Sequence, residues 1–203
     1  MLEDINGSKW SGNESKKSQA KKATIVFIDE SGILMSPIVR RTWSPRGQTP
    51  LVRHATRSHK KVTAIGAVTV RYHGRGERIM FRLLKARNVK SAECIQFLIQ
   101  FKQNIRGHII VVWDRLQAHR SKALQRWLSN QKRVETEFFP PYAPKLNPVE
   151  YLWSYLKATS LANFAPQDID DLFDEAKSSI CAIRQKQNLI RSFIEHSPAN
   201  SFA

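Results

Sequence analysis

Residues 23–28 have the sequence Ala-Thr-Ile-Val-Phe-Ile and run directly into an acidic segment, Asp29-Glu30-Ser31-Gly32. The run is apolar apart from one threonine and rich in β-branched residues, which favours a strand buried on both faces. The segment after it is typical of a turn, so Asp29 is expected just beyond the strand. Residues 109–113, Ile-Ile-Val-Val-Trp, form a second such run and stop at Asp114.

The segments around these two runs complete an α/β pattern. Further strands are predicted over residues 62–72, 78–84 and 134–138, and helices from Ser91, over residues 119–129, from near Asn147 and from about Gln167. Within the second of these helices, Ala123, Leu124, Trp127 and Leu128 are expected to face inward. The order of the elements predicts a mixed sheet with helices packed on its faces.

Positive charge is concentrated in one part of the chain. The 33 Lys and Arg residues exceed the 17 Asp and Glu residues, and the formal net charge is +16. Residues 31–76 contain nine basic residues and no acid. Such a surplus favours a polyanionic partner, so nucleic acid is expected; a ribosomal or merely basic protein is the alternative. A membrane-surface protein is disfavoured because the sequence shows no basic amphipathic helix with exposed aromatics.

Length and cysteine content place the chain in a broad class. The 203 residues suffice for one domain with a substantial core. No apolar run approaches the ~20 residues of a membrane span, and no signal-peptide pattern is visible. The two cysteines, Cys94 and Cys181, lack the spacing of a zinc site or a disulfide framework. A reduced, cytoplasmic protein is therefore expected.

Asp29 and Asp114 are each predicted to follow a buried strand at the same edge of the sheet. Two neighbouring carboxylates repel each other, and a divalent cation removes the conflict. Oxygen ligands alone favour Mg²⁺ or Mn²⁺ over zinc. The competing interpretation of either aspartate alone is a helix N-cap or an Asx-turn. Glu150 also has a structural interpretation, because Asn147-Pro148-Val149-Glu150 matches an N-terminal capping box.

Three stretches, in this order, resemble the DDE transposases of bacterial insertion sequences related to the mariner superfamily. They are residues 27–32 (Phe-Ile-Asp-Glu-Ser-Gly), residues 112–121 around Asp114, and residues 140–150 (Pro-Pro-Tyr-Ala-Pro-Lys-Leu-Asn-Pro-Val-Glu). The third stretch is the most specific, and residues 42–47 (Thr-Trp-Ser-Pro-Arg-Gly) resemble a loop common in that family. Arg115 is a departure, because the family usually has asparagine after its second aspartate.

The resemblance implies a ribonuclease H-like α/β fold over residues 23–160, with a mixed five-stranded sheet flanked by helices. Residues 1–22 are expected to be a flexible basic tail or linker, and residues 161–203 a C-terminal helical extension. The resemblance further implies that Asp29, Asp114 and Glu150 are catalytic and bind Mg²⁺ or Mn²⁺, with two ions per site. The implied activity is metal-dependent cleavage and strand transfer at transposon ends.

Phosphate contacts are expected from the basic stretch and from residues beside the second aspartate. The candidates are Arg40, Arg41, Arg46, Arg53, Arg57, Lys60, Lys61, Arg115 and His119. For His119, which lies at a predicted helix start, the alternative is a structural hydrogen-bonding residue. Trp43 is expected to pack into the core rather than to stack on a flipped base. Glu30 is expected to support the site from outside it or to face solvent.

The expected partners are double-stranded DNA and a second copy of the chain. The family usually carries a helix-turn-helix region ahead of the catalytic domain, and residues 1–22 are too short for one, so an upstream helix-turn-helix protein or segment is also expected. A cytoplasmic, nucleoid-associated bacterial protein follows from this. The alternatives are another ribonuclease H-like nuclease and an inactive or regulatory DNA-binding remnant.

Overall fold

A computed structural model describes residues 20–51, 60–72, 76–140 and 143–197. Its strands are β1 (Thr24–Leu34), β2 (Lys61–Arg71), β3 (Arg78–Lys85), β4 (Ile109–Trp113) and β5 (Val134–Phe138). Its helices are α1 (Ser91–Asn104), α2 (Lys122–Ser129), α3 (Pro148–Ala158), α4 (Ile169–Arg184) and α5 (Gln187–Glu195). A single 3₁₀ turn, Pro144–Leu146, precedes α3.

The strands form one mixed sheet in the order β3-β2-β1-β4-β5. The first three strands are an antiparallel meander, whereas β4 and β5 lie parallel to β1. The predicted mixed five-stranded sheet is therefore confirmed. Because β1, β4 and β5 run in the same direction, residues that follow them in sequence gather at one edge of the sheet.

Alternation along β1 divides the core into two layers. Val26 and Ile28 pack against α1 and α2, in a cluster that includes Phe97 and Leu124. Ile25, Phe27 and Ile33 face the opposite side and pack against α3, α4 and α5. Side chains alternate between the faces of a strand, so each residue of β1 is assigned to one layer by its position.

The predicted turn at residues 29–32 is wrong, because β1 continues through this segment to Leu34. The strand β2 is equally long and pairs with all of it, from Thr24↔Arg71 to Leu34↔Lys61. Asp29 therefore lies inside a strand, opposite Gly66. Paired backbone groups and the burial of Ser31 and Ile33 outweigh the turn preference of the local sequence.

Two helical predictions need correction. The helix predicted over residues 119–129 begins only at Lys122, after a turn, because the Ser121 hydroxyl accepts a hydrogen bond from the Leu124 N–H and caps it. Ala123 on that helix is exposed rather than inward-facing, whereas Leu124 is buried. The amphipathic C-terminal stretch consists of two helices that break at residues 185–186. Residues 1–19 of the predicted tail lie outside the described ranges.

The helix α3 lies against the sheet where β2 has a glycine. Ala64 and Val68 of β2 belong to the same cluster as Leu152 and Trp153 of α3. A Cβ atom placed on Gly66 would lie 2.5 Å from the Trp153 ring, so the close approach of helix and strand requires glycine at this position. In the described part of the chain, no helix combines the length and the apolar character needed to cross a bilayer.

We predict that Gly66→Ala destabilises the fold by about 1–3 kcal/mol, the usual cost of overpacking a filled core. The added methyl group meets the ring of Trp153, which is 2% exposed and cannot move into solvent. Urea unfolding monitored by circular dichroism measures the change. Gly32→Ala is the matched control, because its methyl group meets only the flexible Lys61 side chain at 3.6 Å. Equal stability of the two variants would contradict the packing described here.

Candidate functional site

Asp29 and Asp114 occupy equivalent positions on neighbouring parallel strands. The register of β1 and β4 runs from Thr24↔Ile109 to Phe27↔Val112, and the same offset places Asp29 beside Asp114. By strand alternation, Asp29 shares the face of Phe27, which is the side covered by α3. The two aspartates predicted from sequence are thus brought to the same edge of the sheet.

Glu150 reaches this edge because the start of α3 is tied to β1. The Asn147 side-chain oxygen accepts a hydrogen bond from the Val149 N–H at 3.1 Å and caps the helix, with Pro148 in its first turn. The Asn147 amide nitrogen donates to the Ile28 carbonyl at 3.0 Å. Asn147 therefore holds the first turn of α3, which contains Glu150, against the residue that precedes Asp29.

The second half of the predicted capping box is not formed. Among the described residues, the cap of α3 is the Asn147 side chain, and Glu150 does not accept a hydrogen bond from the Asn147 backbone. The Glu150 carboxylate is half-buried and acts electrostatically on Asp29. Its position in the first turn thus leaves this carboxylate available to the site.

Two further hydrogen bonds attach α3 to β1. The Trp153 indole N–H donates to Asp29 Oδ2 at 3.0 Å, and Lys157 Nζ donates to Ser31 Oγ at 2.7 Å. With Asn147, these residues lie on one face of α3 and follow β1 from Ile28 to Ser31. The Asp29 side chain is thus held at a defined position between strand and helix.

The surroundings of Asp29 disfavour ionisation of its own carboxyl group. Burial, followed by the carboxylates of Glu150, Glu30 and Asp114, raises the pKa of Asp29 from 3.8 to about 8. The hydrogen bond from Trp153 acts in the opposite direction but is outweighed. Three acids thus lie near enough to the half-buried Asp29 to raise its pKa, and carboxylate oxygens are the ligands that a hard divalent cation prefers.

A buried histidine connects two of these acids. His119 Nε2 lies 2.9 Å from Glu30 Oε1, and His119 Nδ1 lies 2.9 Å from Asp114 Oδ1. With an acceptor at each nitrogen, the ring fits the charged form, which donates from both. The His119 ring stacks on Trp113 at a centroid distance of 4.3 Å and an interplanar angle of 7°.

The same contacts shift the pKa values of this group. Burial alone lowers the pKa of His119, but hydrogen bonds to Asp114, Cys94 and Glu30 outweigh it and raise the pKa to about 12. The hydrogen bond from His119 holds the pKa of Asp114 below its usual value. The charged histidine thus compensates the negative charge of Glu30 and favours the ionised form of Asp114.

Glu30, Cys94 and His119 also bring one ligand atom each within 4.8 Å of one another. A thiol, an imidazole and a carboxylate form a set that suits zinc. Both His119 nitrogens, however, already face carboxylates, and structural zinc sites use four ligands. Hydrogen bonding therefore explains this cluster better than a metal ion does.

The DNA-contact interpretation of His119 is wrong, because the residue is 0% exposed, and its bonds to Asp114 and Glu30 support the alternative of a structural hydrogen-bonding residue. The other basic candidates separate into three groups by position. Arg40, Arg41, Arg46, Lys60 and Arg115 are exposed, Lys61 is half-buried, and Arg53 and Arg57 lie outside the described residues. Arg115 directly follows Asp114, so its exposed side chain borders the acidic edge.

The basic segment after β1 is fixed to the end of α3. Ile38 forms a bridge with Ala162, and the Arg40 N–H donates to the Asn163 side chain at 2.8 Å. Trp43 further along is 99% exposed, so the prediction that it packs into the core is wrong. A tryptophan exposed among arginines is available for stacking or for contact with a partner.

Two residues that hold the site, Trp153 and Asn147, were not identified from the sequence as members of it. The prediction that Glu30 supports the site from outside it agrees with its half-buried position against His119. Trp153 lies three residues after Glu150, which places both on one face of a helix, and this spacing was the available signal. Asn147 was recognised only as a cap, because nothing in the sequence indicates its bond to Ile28.

We predict that Asp29→Asn stabilises the metal-free chain at neutral pH. The folded-state pKa of Asp29 is raised to about 8, so its contribution to stability is fully present below pH 3.8 and is lost as pH rises towards 8. Asparagine removes this loss. The variant should exceed wild type at pH 8 by more than about 1.4 kcal/mol, the equivalent of one pKa unit.

Urea unfolding between pH 5 and pH 8, with chelator present, measures the difference between the two chains. Wild-type stability should fall relative to that of Asp29→Asn as pH rises. A constant difference across this range would show that the Asp29 carboxyl titrates normally. Asp174→Asn, which alters an exposed acid on α4, is the matched control.

We predict that His119→Leu costs about 3–5 kcal/mol of stability, the usual effect of removing one partner from a buried ion pair. The side chain of Glu30 is only 13% exposed and would lose its counter-charge. The double variant His119→Leu/Glu30→Gln should recover part of the loss, which urea unfolding measures. Equal losses in the single and double variants would contradict the ion pair. His196→Leu, at an exposed histidine, is the control.

Comparison with known proteins places this arrangement in context. An insertion element IS630 uncharacterized 39 kDa protein of Shigella sonnei is 28% identical over 141 residues, which are 68% of this chain and 39% of that protein. The chain thus spans well under half the length of this relative. Its similarity covers part of the relative only.

Solved structures share the fold. A Mos1 transposase paired-end complex with left transposon end matches 94% of this chain and 57% of that chain, with 19% identity and a TM-score of 0.66. The catalytic domain of Mos1 mariner transposase matches 95% of this chain and 86% of that chain, with 16% identity and a TM-score of 0.57. The ribonuclease H-like fold expected from the sequence is thereby confirmed.

A family model described as DDE superfamily endonuclease matches residues 24–173. The matched range contains the whole sheet, the two aspartates, Glu150 and the whole of α3. It covers the greater part of the 203-residue chain. On this evidence, the chain belongs to the DDE superfamily endonuclease family.

Proposed function

We propose that this chain is the catalytic part of a transposase, which cuts DNA at the ends of a mobile element and joins them to target DNA. The observation that carries the proposal is the group of acids around the half-buried Asp29, whose pKa they help to raise to about 8. In a chain of net charge +16, a group of carboxylates with a strongly raised pKa indicates a functional site. Family membership and the likeness to Mos1 transposase support the same conclusion.

Asp29, Asp114 and Glu150 are the proposed ligands of Mg²⁺ or Mn²⁺, with two ions per site. Their oxygens fit these hard cations, and the raised pKa of Asp29 marks a place where positive charge is needed. Bound ions of this kind activate water as a nucleophile and stabilise the leaving 3′ oxygen. Mos1 structures in complexes with Mn and with Mg support this choice of metals.

The residues around the ligands position them. Trp153 fixes one oxygen of Asp29 by a bond of 3.0 Å, and Asn147 holds the turn that contains Glu150. His119 orients Asp114 by a hydrogen bond, and its positive charge compensates the negative charge of Glu30. The carboxylates therefore act as ligands of fixed position, and no proton transfer by them is required.

DNA contacts are proposed for the basic residues between β1 and β2, for Lys61 at the start of β2 and for Arg115. They are Arg40, Arg41, Arg46, Lys60, Lys61 and Arg115, together with Arg53 and Arg57 outside the described residues. These side chains fix the position of the backbone by contacting phosphates and do not read sequence. Recognition of particular ends is assigned to an upstream helix-turn-helix protein or segment. At least two copies of the chain are proposed to act together on two DNA ends.

Nicking of supercoiled plasmid tests the proposal. Wild type with Mn²⁺ or Mg²⁺ should convert supercoiled plasmid to the nicked form, and chelator should abolish this. Asp29→Asn should lower the rate by at least about 100-fold, since a metal ligand supplies several kcal/mol of the rate enhancement. Asp174→Asn, which makes the same chemical change on α4, should match wild type.

The outcomes separate the candidate functions. Metal-dependent nicking that survives in Asp29→Asn would sink the assignment of ligands. Nicking followed by joining of a labelled 3′ end to plasmid separates a transposase from a simple nuclease. If wild type binds DNA but does not nick it, Arg115 at the position after Asp114 favours an inactive, regulatory DNA-binding protein.

A further inference from the structure

A cleft opens beside the acidic edge, on the face of the sheet opposite to α3. Its volume is about 620 Å³. Its floor contains residues 30–32, Lys61 and Thr63, and its walls are residues 88–91, residues 116–118 and Ser121. The wall at residues 116–118 belongs to the loop that follows Asp114. We call this space the Lys61–Lys90 cleft, after the two lysines that line it.

The charge of the Lys61–Lys90 cleft is positive. Of its described lining residues, Glu30 is the single acid, and Glu30 is already bonded to His119 at 2.9 Å. The cations Lys61 and Lys90 border the same space. Neither lysine has a carboxylate partner among the lining residues, so the cleft favours an anion.

The start of α1 adds to this preference. Lys90 is the N-cap of this 14-residue helix, and a lysine side chain has no oxygen with which to accept from the first-turn N–H groups. The Glu93 carboxylate instead accepts from the Lys90 N–H at 3.0 Å. Uncapped N–H groups and the positive end of the helix dipole at Ser91 therefore border the cleft.

Thr63 supplies an independent sign of a missing ligand. This residue lines the cleft and is 6% exposed, and its hydroxyl has no hydrogen-bond partner. Buried hydroxyl groups in folded proteins nearly always have one. Thr63 and Lys61 both line the cleft, so we infer that the missing partner of this hydroxyl is an acceptor bound there.

The remaining lining residues suit a nucleoside. Val89, Leu116 and Ala118 are apolar, and Leu116 is 42% exposed. The amides of Asn88 and Gln117 offer donors and acceptors of the kind that pair with base edges. The volume falls within the 300–1,000 Å³ range that is typical of small-ligand sites, which is ample for one nucleotide.

We propose that the Lys61–Lys90 cleft binds one nucleotide of a DNA strand that lies next to the bond being cut. Its phosphate contacts Lys61, Lys90 and the start of α1, and its base lies against Leu116. The proposal rests on the proposed function, because it places this nucleotide one loop away from Asp114. It adds a binding site on the side of β1 opposite to the side that carries Asp29.

The test uses the full chain and two probes, a dinucleoside monophosphate of thymidine and inorganic phosphate, each at constant ionic strength. Amide chemical shifts are recorded by ¹H–¹⁵N nuclear magnetic resonance. The dinucleotide should shift the amides of residues 89–91 and 116–118. The variants Lys61→Gln and Lys90→Gln should each weaken this binding about tenfold, as expected when one charge-assisted hydrogen bond is lost. Lys177→Gln, on α4, should bind like wild type.

Three results would overturn the proposal. One is the absence of shifts in the cleft, and another is shifts confined to Arg40, Arg41 and Arg46. The third is equal binding of inorganic phosphate and dinucleotide, which would make the cleft a simple anion site. Metal-dependent plasmid nicking by wild type, and its loss in Asp29→Asn, keeps the two proposals separate, because this comparison tests the carboxylates whether or not the dinucleotide binds in the cleft.

Discussion

The bond from the Asn147 side chain to the Ile28 carbonyl is the contact on which the site depends. It joins the start of a helix to the middle of a strand that lies more than one hundred residues earlier in sequence. The bond is buried, so its loss would leave polar groups without water to replace their partner. Because Glu150 follows Asn147 in the first turn, this one amide determines whether the third carboxylate reaches the other two.

The strand β1 distributes its polar residues between two different tasks. Asp29 faces α3 and contacts Trp153, whereas Glu30 faces the opposite layer and contacts His119. A single alternating strand thus supplies one acid for the candidate metal site and another that fixes the histidine beside Asp114. The proposed nucleotide cleft lies on the Glu30 side. Opposite faces of the same strand therefore serve cleavage and the placement of DNA.

The mixed sheet and the placement of Asp29 and Asp114 at one edge of it were predictable, because apolar runs that end in acids carry a strong local signal, whereas Glu150 was added only by the resemblance to a family. The length of β1 was not, since the ladder with β2 overrides the turn preference of residues 29–32. The burial of His119 was also missed, because its cause is the stacked Trp113 ring and two carboxylates supplied by different strands. Contacts between elements distant in sequence leave no local pattern, and Asn147 and Trp153 show the same limit.

The Trp153 ring fills the space that a side chain at position 66 would need. The residue types that these two positions tolerate therefore depend on each other. A side chain at position 66 requires a smaller residue at position 153, and the smaller residue would lack the indole N–H that holds Asp29. A substitution at only one of the two positions would disturb either the packing or the hydrogen bond to Asp29. Among related chains, the two sites should therefore vary together or not at all, and a pair that changes jointly should hold its first aspartate by another donor.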